Sequence, residues 1–222
     1  MNPTPAKGTN GVLMPVEIIC IALVFVLTVV LLAMTTRIGC RTRSPRINCI
    51  SNLKQIGLAF RMWAGDHGDK FPWQVETNGT MDFAESPAVY KHFLAISNEL
   101  SSPKVLACNT DKKITKEADW SKFNNAHLSY FVGLEANEAN PQSILSGDRN
   151  PATNGKPATG LLRVTADTAL GFTGEMHKHA GNIGLGDGSA QQVTEHGLRK
   201  QVRSALQSTN VAALRFSIPK PK

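Results

Sequence analysis

The feature that most constrains this chain is an apolar run near its N-terminus. Residues 18–34 read IICIALVFVLTVVLLAM, without charge, glycine or proline, and counting back to Val12 gives 23 residues interrupted by Pro15 and Glu17. A helix of about 20 apolar residues crosses the ~30 Å hydrocarbon core of a bilayer. In lipid such a helix satisfies all its backbone groups internally. We therefore predict a membrane-spanning helix over residues 12–36, preceded by a polar leader, residues 1–11.

A cleaved secretory signal is the alternative interpretation of this run. The apolar part of a signal peptide is typically ~7–15 residues long and ends at a cleavage site of small residues. The run here is longer, and the residues around Ala33, Met34 and Thr35 do not form such a site. The sequence therefore favours a retained membrane span.

Glu17 places a carboxylate near the start of this apolar helix. A charge at the centre of a membrane helix costs about 2.5–3.5 kcal/mol, and less near its ends. Glu17 could lie among the lipid headgroups, where the cost is small, or it could pair with a charge on a neighbouring subunit. The residues alone leave both alternatives open.

The composition of the whole chain limits the class of protein to which it belongs. Of its 222 residues 41% are hydrophobic and 18% charged, which is too apolar and too weakly charged for a disordered protein. The formal net charge of +7 is basic. However, the basic residues do not form a stripe with interleaved aromatic residues, so we predict no nucleic-acid partner.

A second helix follows the apolar run. Apolar residues recur at intervals of three and four, which places them on one face of an amphipathic helix over residues 45–65. Pro45 suits the first position of this helix. We call it the spine helix. The residues on its apolar face are Cys49, Leu53, Ile56, Phe60 and Trp63.

Residues 66–222 are predicted to form a globular α+β domain. Periodicity and turn residues predict helices over 86–100 and 198–208, strands over 104–111, 127–134 and 160–165, and a long irregular loop over 135–160. Within that loop, residues 146–150 (SGDRN) are typical of a turn.

The stretch HKHAGNIGLGDGSAQQV, residues 177–193, has a structural and a chemical interpretation. In a strand, His177 and His179 would share one face, and Asp187 could complete a metal or catalytic set, although zinc needs three or four ligands. Asp187-Gly188 instead suits a type I′ hairpin turn, in which both central residues have positive φ. We favour a three-stranded meander with a second turn at Gly181-Asn182. Accordingly we predict no catalytic residues, no metal and no cofactor; a metal-dependent enzyme is the weaker alternative.

The four cysteines do not form a Cys-x-x-Cys motif. Cys20 lies in the predicted span and Cys40 just beyond it. Cys49 and Cys108 belong to the soluble part, and they are the pair that could form a disulfide.

Taken together, several segments resemble pilin-like proteins related to type II secretion pseudopilins, in the bacterial subfamily with a C-terminal His-x9-Asp-Gly motif. The order of leader, apolar helix and spine is similar, and so is the segment 47–72. The motif itself matches His177 and Asp187-Gly188. Residues 108–111 are similar to a Cys-Pro-Ser-Asp element of that subfamily, and residues 147–150 also match.

The resemblance implies a long N-terminal helix packed on a C-terminal antiparallel sheet. It implies a membrane-stored subunit that assembles through its apolar helix into a filament or short pseudopilus, without enzymatic activity. Glu17 would then pair with the N-terminal amine of an adjacent processed subunit. Prepilin peptidase would cut between Val12 and Leu13. The implied partners are the membrane, other pilin-like subunits and this peptidase.

The resemblance also implies a single-pass protein of the bacterial inner membrane with its C-terminal domain in the periplasm or outside the cell. Counting basic residues gives the opposite orientation, because Lys7 precedes the span and four arginines follow it. In the cytoplasm Cys49 and Cys108 would be reduced. A further alternative is a membrane-anchored surface binding module that is neither processed nor polymerised.

Overall fold

The structure is a computed structural model that describes residues 15–36, 45–75 and 85–220. The predicted leader and the predicted cut between Val12 and Leu13 lie outside these residues. The chain divides into two compact units, Met1–Thr42 and Arg43–Lys222.

The first unit contains helix α1, Pro15–Thr36. In the part of the chain that the structure describes, this is the one helix long and apolar enough to cross a membrane, and none of the span Pro15–Leu32 is buried. The predicted N-terminal apolar helix is therefore confirmed. Glu17 lies in its first turn.

The second unit is an α+β domain, as predicted. Its helices are α2 (Pro45–Asp66), α3 (Tyr90–Leu94), α4 (Gly174–His177) and α5 (Glu195–Thr209). Its strands are β1 (Tyr130–Gly133), β2 (Ile144–Asp148), β3 (Pro151–Thr153), β4 (Lys156–Pro157), β5 (Gly160–Val164), β6 (Leu170–Phe172), β7 (Ala180–Leu185), β8 (Ala190–Thr194) and β9 (Leu214–Ile218).

The strands form two antiparallel sheets. The larger has the order β5-β9-β1-β2-β7-β8 and the smaller the order β4-β3-β6. Successive side chains of a strand point to opposite faces. Accordingly, Tyr130 and Val132 of β1 join the core cluster that contains α2, whereas Phe131 joins the one that contains α5. The larger sheet thus lies between two cores.

The spine helix and the last helix form because of their apolar periodicity. In α2 the predicted residues Cys49, Leu53, Ile56 and Phe60 are fully buried, and Trp63 packs at the edge of the same cluster. In α5 the buried residues are Leu198, Val202 and Ala205. The α5 N-terminus is capped by Thr194, whose hydroxyl accepts from the Gly197 amide at 3.2 Å.

Three local predictions are wrong. The predicted loop over 135–160 contains β2, β3 and β4; β2 is buried at every position, so its sequence shows no alternation. The predicted strand over 104–111 begins instead as a 3-10 helix, Pro103–Leu106, which Ser102 caps and a proline starts. The predicted helix over 86–100 is reduced to α3.

Gly57 lies where the spine helix meets the tip of the β7–β8 hairpin. A Cβ at Gly57 would lie 3.0 Å from Cα of Gly188. We expect Gly57→Ala to lower the free energy of unfolding by about 1–3 kcal/mol, because one backbone must move away from the other. Gly65→Ala is the matched control in the same helix: nothing lies within 4 Å of its Cβ, and we expect a gain of up to about 1 kcal/mol. Urea unfolding measures both, and equal effects would contradict the contact.

Candidate functional site

The two histidines of the motif lie in different environments. His177 ends α4 with its side chain only 2% exposed, whereas His179 is exposed. Between α4 and β7 the chain turns through Lys178 and His179, which have positive φ values of 54° and 59°. The predicted strand in which both histidines share a face is therefore wrong, because this left-handed turn separates them.

His177 makes three polar contacts with buried or half-buried groups. Its Nε2 lies 3.2 Å from Oδ2 of Asp148 and 3.6 Å from Sγ of Cys108. Its Nδ1 lies 3.4 Å from Oγ1 of Thr110. The motif histidine thus joins the end of β2 to the segment that follows the Pro103–Leu106 helix.

Asp148 is a fully buried carboxylate that β7 holds in place. Its Oδ2 accepts hydrogen bonds from the backbone amide and the side-chain Nδ2 of Asn182, at 2.7 and 2.8 Å. Burial raises the pKa of Asp148, and the hydrogen bonds from His177 and Asn182 oppose that rise. Because three donors surround one oxygen, the position of this carboxylate is fixed from two elements.

Cys49 and Cys108 form a disulfide in the structure, with an S–S distance of 2.11 Å. The bond joins α2 to a segment 59 residues further along the chain. In α1, Cys20 is a free thiol.

A buried ion pair joins Asp111, which follows Cys108 closely in the chain, to Arg149. The Arg149 guanidinium donates to both oxygens of Asp111, and the two side chains are 5% and 1% exposed. Ser129 Oγ donates to the same carboxylate at 2.9 Å. Asn150 Nδ2 donates to the carbonyls of Thr173 and Ala180. Residues 146–150 are therefore not the predicted turn; they end a buried strand and connect it to three other segments.

Asp187 and Gly188 form the tip of the β7–β8 hairpin. Gly188 has a φ of 81°, and its amide donates to the Leu185 carbonyl at 2.9 Å. Asp187 is not among the positive-φ residues, so the predicted type I′ turn is wrong and the turn has a left-handed glycine at its end only. The Asp187 carbonyl accepts from Nη1 of Arg61 at 2.9 Å. This end of the motif docks on the spine helix.

The predicted meander is also wrong. Gly181 and Asn182 do not turn; they lie within β7 and pair with Val193 and Gln192 of β8. Nor is the alternative metal set of His177, His179 and Asp187 assembled. Among the described residues, the metal-ligating side chains that converge are Cys49, Cys108 and His177.

We call these contacts the motif cluster: Cys49, Cys108, Thr110, Asp111, Asp148, Arg149, His177 and Asn182. Sequence reasoning missed Thr110, Asp111, Asp148, Arg149 and Asn182 as site residues. For the first four of these residues, the available signal was the resemblance of segments 108–111 and 147–150 to elements of the pilin-like subfamily with the His-x9-Asp-Gly motif.

The geometry of the motif cluster does not fit a catalytic triad. In such a triad the nucleophile and the acid contact opposite nitrogens of the histidine ring. Here Cys108 and Asp148 both approach Nε2 of His177, and the sulfur is bonded to Cys49. The arrangement cross-links α2, β2, β7 and the 108–111 segment.

A separate cavity of about 370 Å³ opens at the surface beside the smaller sheet. The polar residues at its wall include His179, Glu195 and Arg199. The exposed face of α5 next to it carries His196, Arg199, Lys200 and Arg203, which line a second cavity. Basic charge is thus locally concentrated on this helix, which composition did not predict.

Comparison with known proteins gave no match: no family model, no curated protein and no solved structure is similar to this chain at a significant level.

Proposed function

We propose that this protein is a membrane-anchored, pilin-like subunit, related to pseudopilins, of a type II secretion or type IV pilus-like assembly. Its role is structural and not catalytic. The observation that carries the proposal is α1, whose span Pro15–Leu32 is apolar on all sides and has no buried residue. A helix that is apolar all round needs a protein core or a membrane to cover it.

The exposed face of the spine helix is a second observation that supports assembly. Its inner face packs on the sheet, while Leu58 and Met62, one helical turn apart, are more than half exposed on its outer face. Ile47 is also exposed. These side chains suit packing against helices of neighbouring pilin-like subunits.

The motif cluster supports a structural role. The disulfide joins the spine helix to the 108–111 segment, and the buried ion pair joins that segment to Arg149, which follows β2. The tip of the β7–β8 hairpin docks on the spine helix through Arg61. The globular domain is thereby fixed to the spine at several points. A subunit held in an assembly by its N-terminal region needs such a connection.

The disulfide also supports the orientation. Disulfides persist in oxidising compartments and are rare in the cytoplasm. We therefore place the C-terminal domain in the periplasm or outside the cell, on a single-pass anchor in the bacterial inner membrane. Prepilin peptidase is the proposed processing partner.

Glu17 provides the test of assembly. We expect Glu17→Ala to leave the protein in the membrane but to reduce its assembled fraction at least tenfold, which corresponds to about 1.4 kcal/mol of lost association energy. The reason is that the proposed amine on the neighbouring subunit would lose its counter-charge in a medium of low polarity. In-cell cross-linking followed by sizing of detergent-extracted complexes measures this fraction.

Thr28→Val is the matched control, because it also removes a polar group from α1; the Thr28 hydroxyl donates to the Phe25 carbonyl of its own helix at 2.8 Å. This variant should assemble normally. Unchanged assembly of Glu17→Ala would contradict the charge-pairing role.

A membrane-anchored surface binding module is the second candidate, favoured by the cavity at His179, Glu195 and Arg199. It predicts monomers in native membranes and protection of this cavity by a ligand. Complexes of several subunits in the sizing experiment would count against it.

A further inference from the structure

We propose that the motif cluster contains a redox-dependent zinc site. When the disulfide is reduced, Cys49, Cys108 and His177 bind one Zn²⁺, and Asp148, which already contacts His177 at 3.2 Å, moves in as the fourth protein ligand. Cys49 and Cys108 thus either bond to each other or bind the metal.

Two distances from Nε2 of His177 already match those between neighbouring ligands of a tetrahedral site. With zinc bonds of about 2.0–2.3 Å, neighbouring ligand atoms lie about 3.3 Å apart for nitrogen and oxygen and about 3.8 Å apart for two sulfurs. Nε2 of His177 lies 3.2 Å from Asp148 Oδ2 and 3.6 Å from Cys108 Sγ. The ligand atoms of Cys49, Cys108 and His177 all lie within 4.8 Å of one another.

Two potential ligand atoms approach the same ring nitrogen of His177. A sulfur and a carboxylate oxygen both approach Nε2, which is what ligands of a shared ion do. The other nitrogen, Nδ1, faces the Thr110 hydroxyl at 3.4 Å. Metal-binding histidines characteristically donate their second N–H to such an outer partner, which fixes the tautomer and the ring orientation.

Asp148 supplies an independent observation. Its side chain is fully buried, and its Oδ1 has no hydrogen-bond partner among the described residues. Asn182 fixes Oδ2 with two hydrogen bonds, as outer-shell groups do for metal-binding carboxylates. A buried carboxylate oxygen without a donor is costly, and a cation beside it would satisfy it.

The chemistry balances with a dithiol as reductant. The dithiol breaks the bond between Cys49 and Cys108, becomes a disulfide itself and leaves two thiols. Zn²⁺ then displaces one proton from each thiol to solvent. The His177 ring changes tautomer: it loses from Nε2 the proton that it donates to Asp148 in the oxidised chain and takes one up at Nδ1, so that Nε2 binds the metal. Once the bond is broken, the two sulfurs must lie about 3.8 Å apart to bind the same ion. Because all four ligands come from the protein and are buried, the site is structural.

The test uses the full chain in detergent with Cys20 and Cys40 replaced by serine, so that the remaining thiols are Cys49 and Cys108. The chain is reduced with a phosphine, which is then removed without air, and titrated with Co²⁺. We expect one Co²⁺ per chain, with thiolate-to-cobalt charge-transfer absorption and the strong d–d bands of tetrahedral cobalt, both lost when Zn²⁺ is added. The oxidised chain should show neither.

His177→Asn and Asp148→Asn should each weaken Co²⁺ binding at least tenfold. Thr110→Val, which leaves all four ligands in place, should weaken it about 10- to 100-fold, and it serves if the ligand variants do not fold. His179→Asn is the matched control and should bind normally. The proposal is overturned if the folded, reduced chain binds no Co²⁺, if the bound Co²⁺ lacks thiolate bands, or if His179→Asn weakens binding as much as His177→Asn.

Discussion

Replacing both Cys49 and Cys108 with alanine should lower the free energy of unfolding by about 4 kcal/mol. The disulfide spans 59 residues, and closing a loop of that length removes about 4 kcal/mol of entropy from the unfolded chain. A loss of this size is a large part of the 5–15 kcal/mol typical of a whole domain. The domain should therefore unfold at much lower urea concentration, with a chelator present to exclude metal binding.

Cys20→Ser is the control, since this thiol is free and exposed in α1. It should change the unfolding free energy by less than about 0.5 kcal/mol. A loss below 1 kcal/mol in the double alanine variant would mean that the disulfide does not constrain the chain.

Arg149→Met should lower the free energy of unfolding by about 3–5 kcal/mol. The substitution leaves the Asp111 carboxylate buried without its counter-ion, and uncompensated buried charges are strongly destabilising. The double variant Asp111→Leu with Arg149→Met should recover much of that loss, because it leaves neither charge behind. Urea unfolding of Arg149→Met, Asp111→Leu, the double variant and the unaltered chain completes a double-mutant cycle and gives the coupling energy.

Lys113→Met is the control for the ion pair. Lys113 pairs with Glu175 at 2.6 Å, but both side chains are more than one-third exposed, so we expect a loss of no more than about 1 kcal/mol. If Arg149→Met cost no more than Lys113→Met, burial would not be the source of the effect.

Local sequence patterns were enough to predict the three long helices α1, α2 and α5. Apolar residues spaced by three and four identify α2 and α5, and an uninterrupted apolar run identifies α1. The same reasoning failed for β2, because a strand buried on both faces carries no alternation. It also predicted the position of the Asp187-Gly188 turn correctly but not its type. A type I′ turn has a two-residue loop, whereas five residues separate Gly184 and Ala190, the last paired positions.

The motif cluster could not be predicted from local patterns. His177 meets Cys108 across 69 residues and Asp148 meets Asn182 across 34, so only the folded sheet brings them together. The left-handed residues Lys178 and His179 add a second obstacle. Such conformations are uncommon outside glycine, and two in succession redirect one histidine inward and the other to the surface.

The N-terminal mass of the protein in its native membrane tests the central proposal most directly. A pilin-like subunit is processed before it assembles, and the resemblance places the cut between Val12 and Leu13. Mass spectrometry of the membrane-extracted, assembled protein should therefore find a chain that begins at Leu13. An assembled chain that still begins at Met1 and carries the whole leader would contradict the proposal.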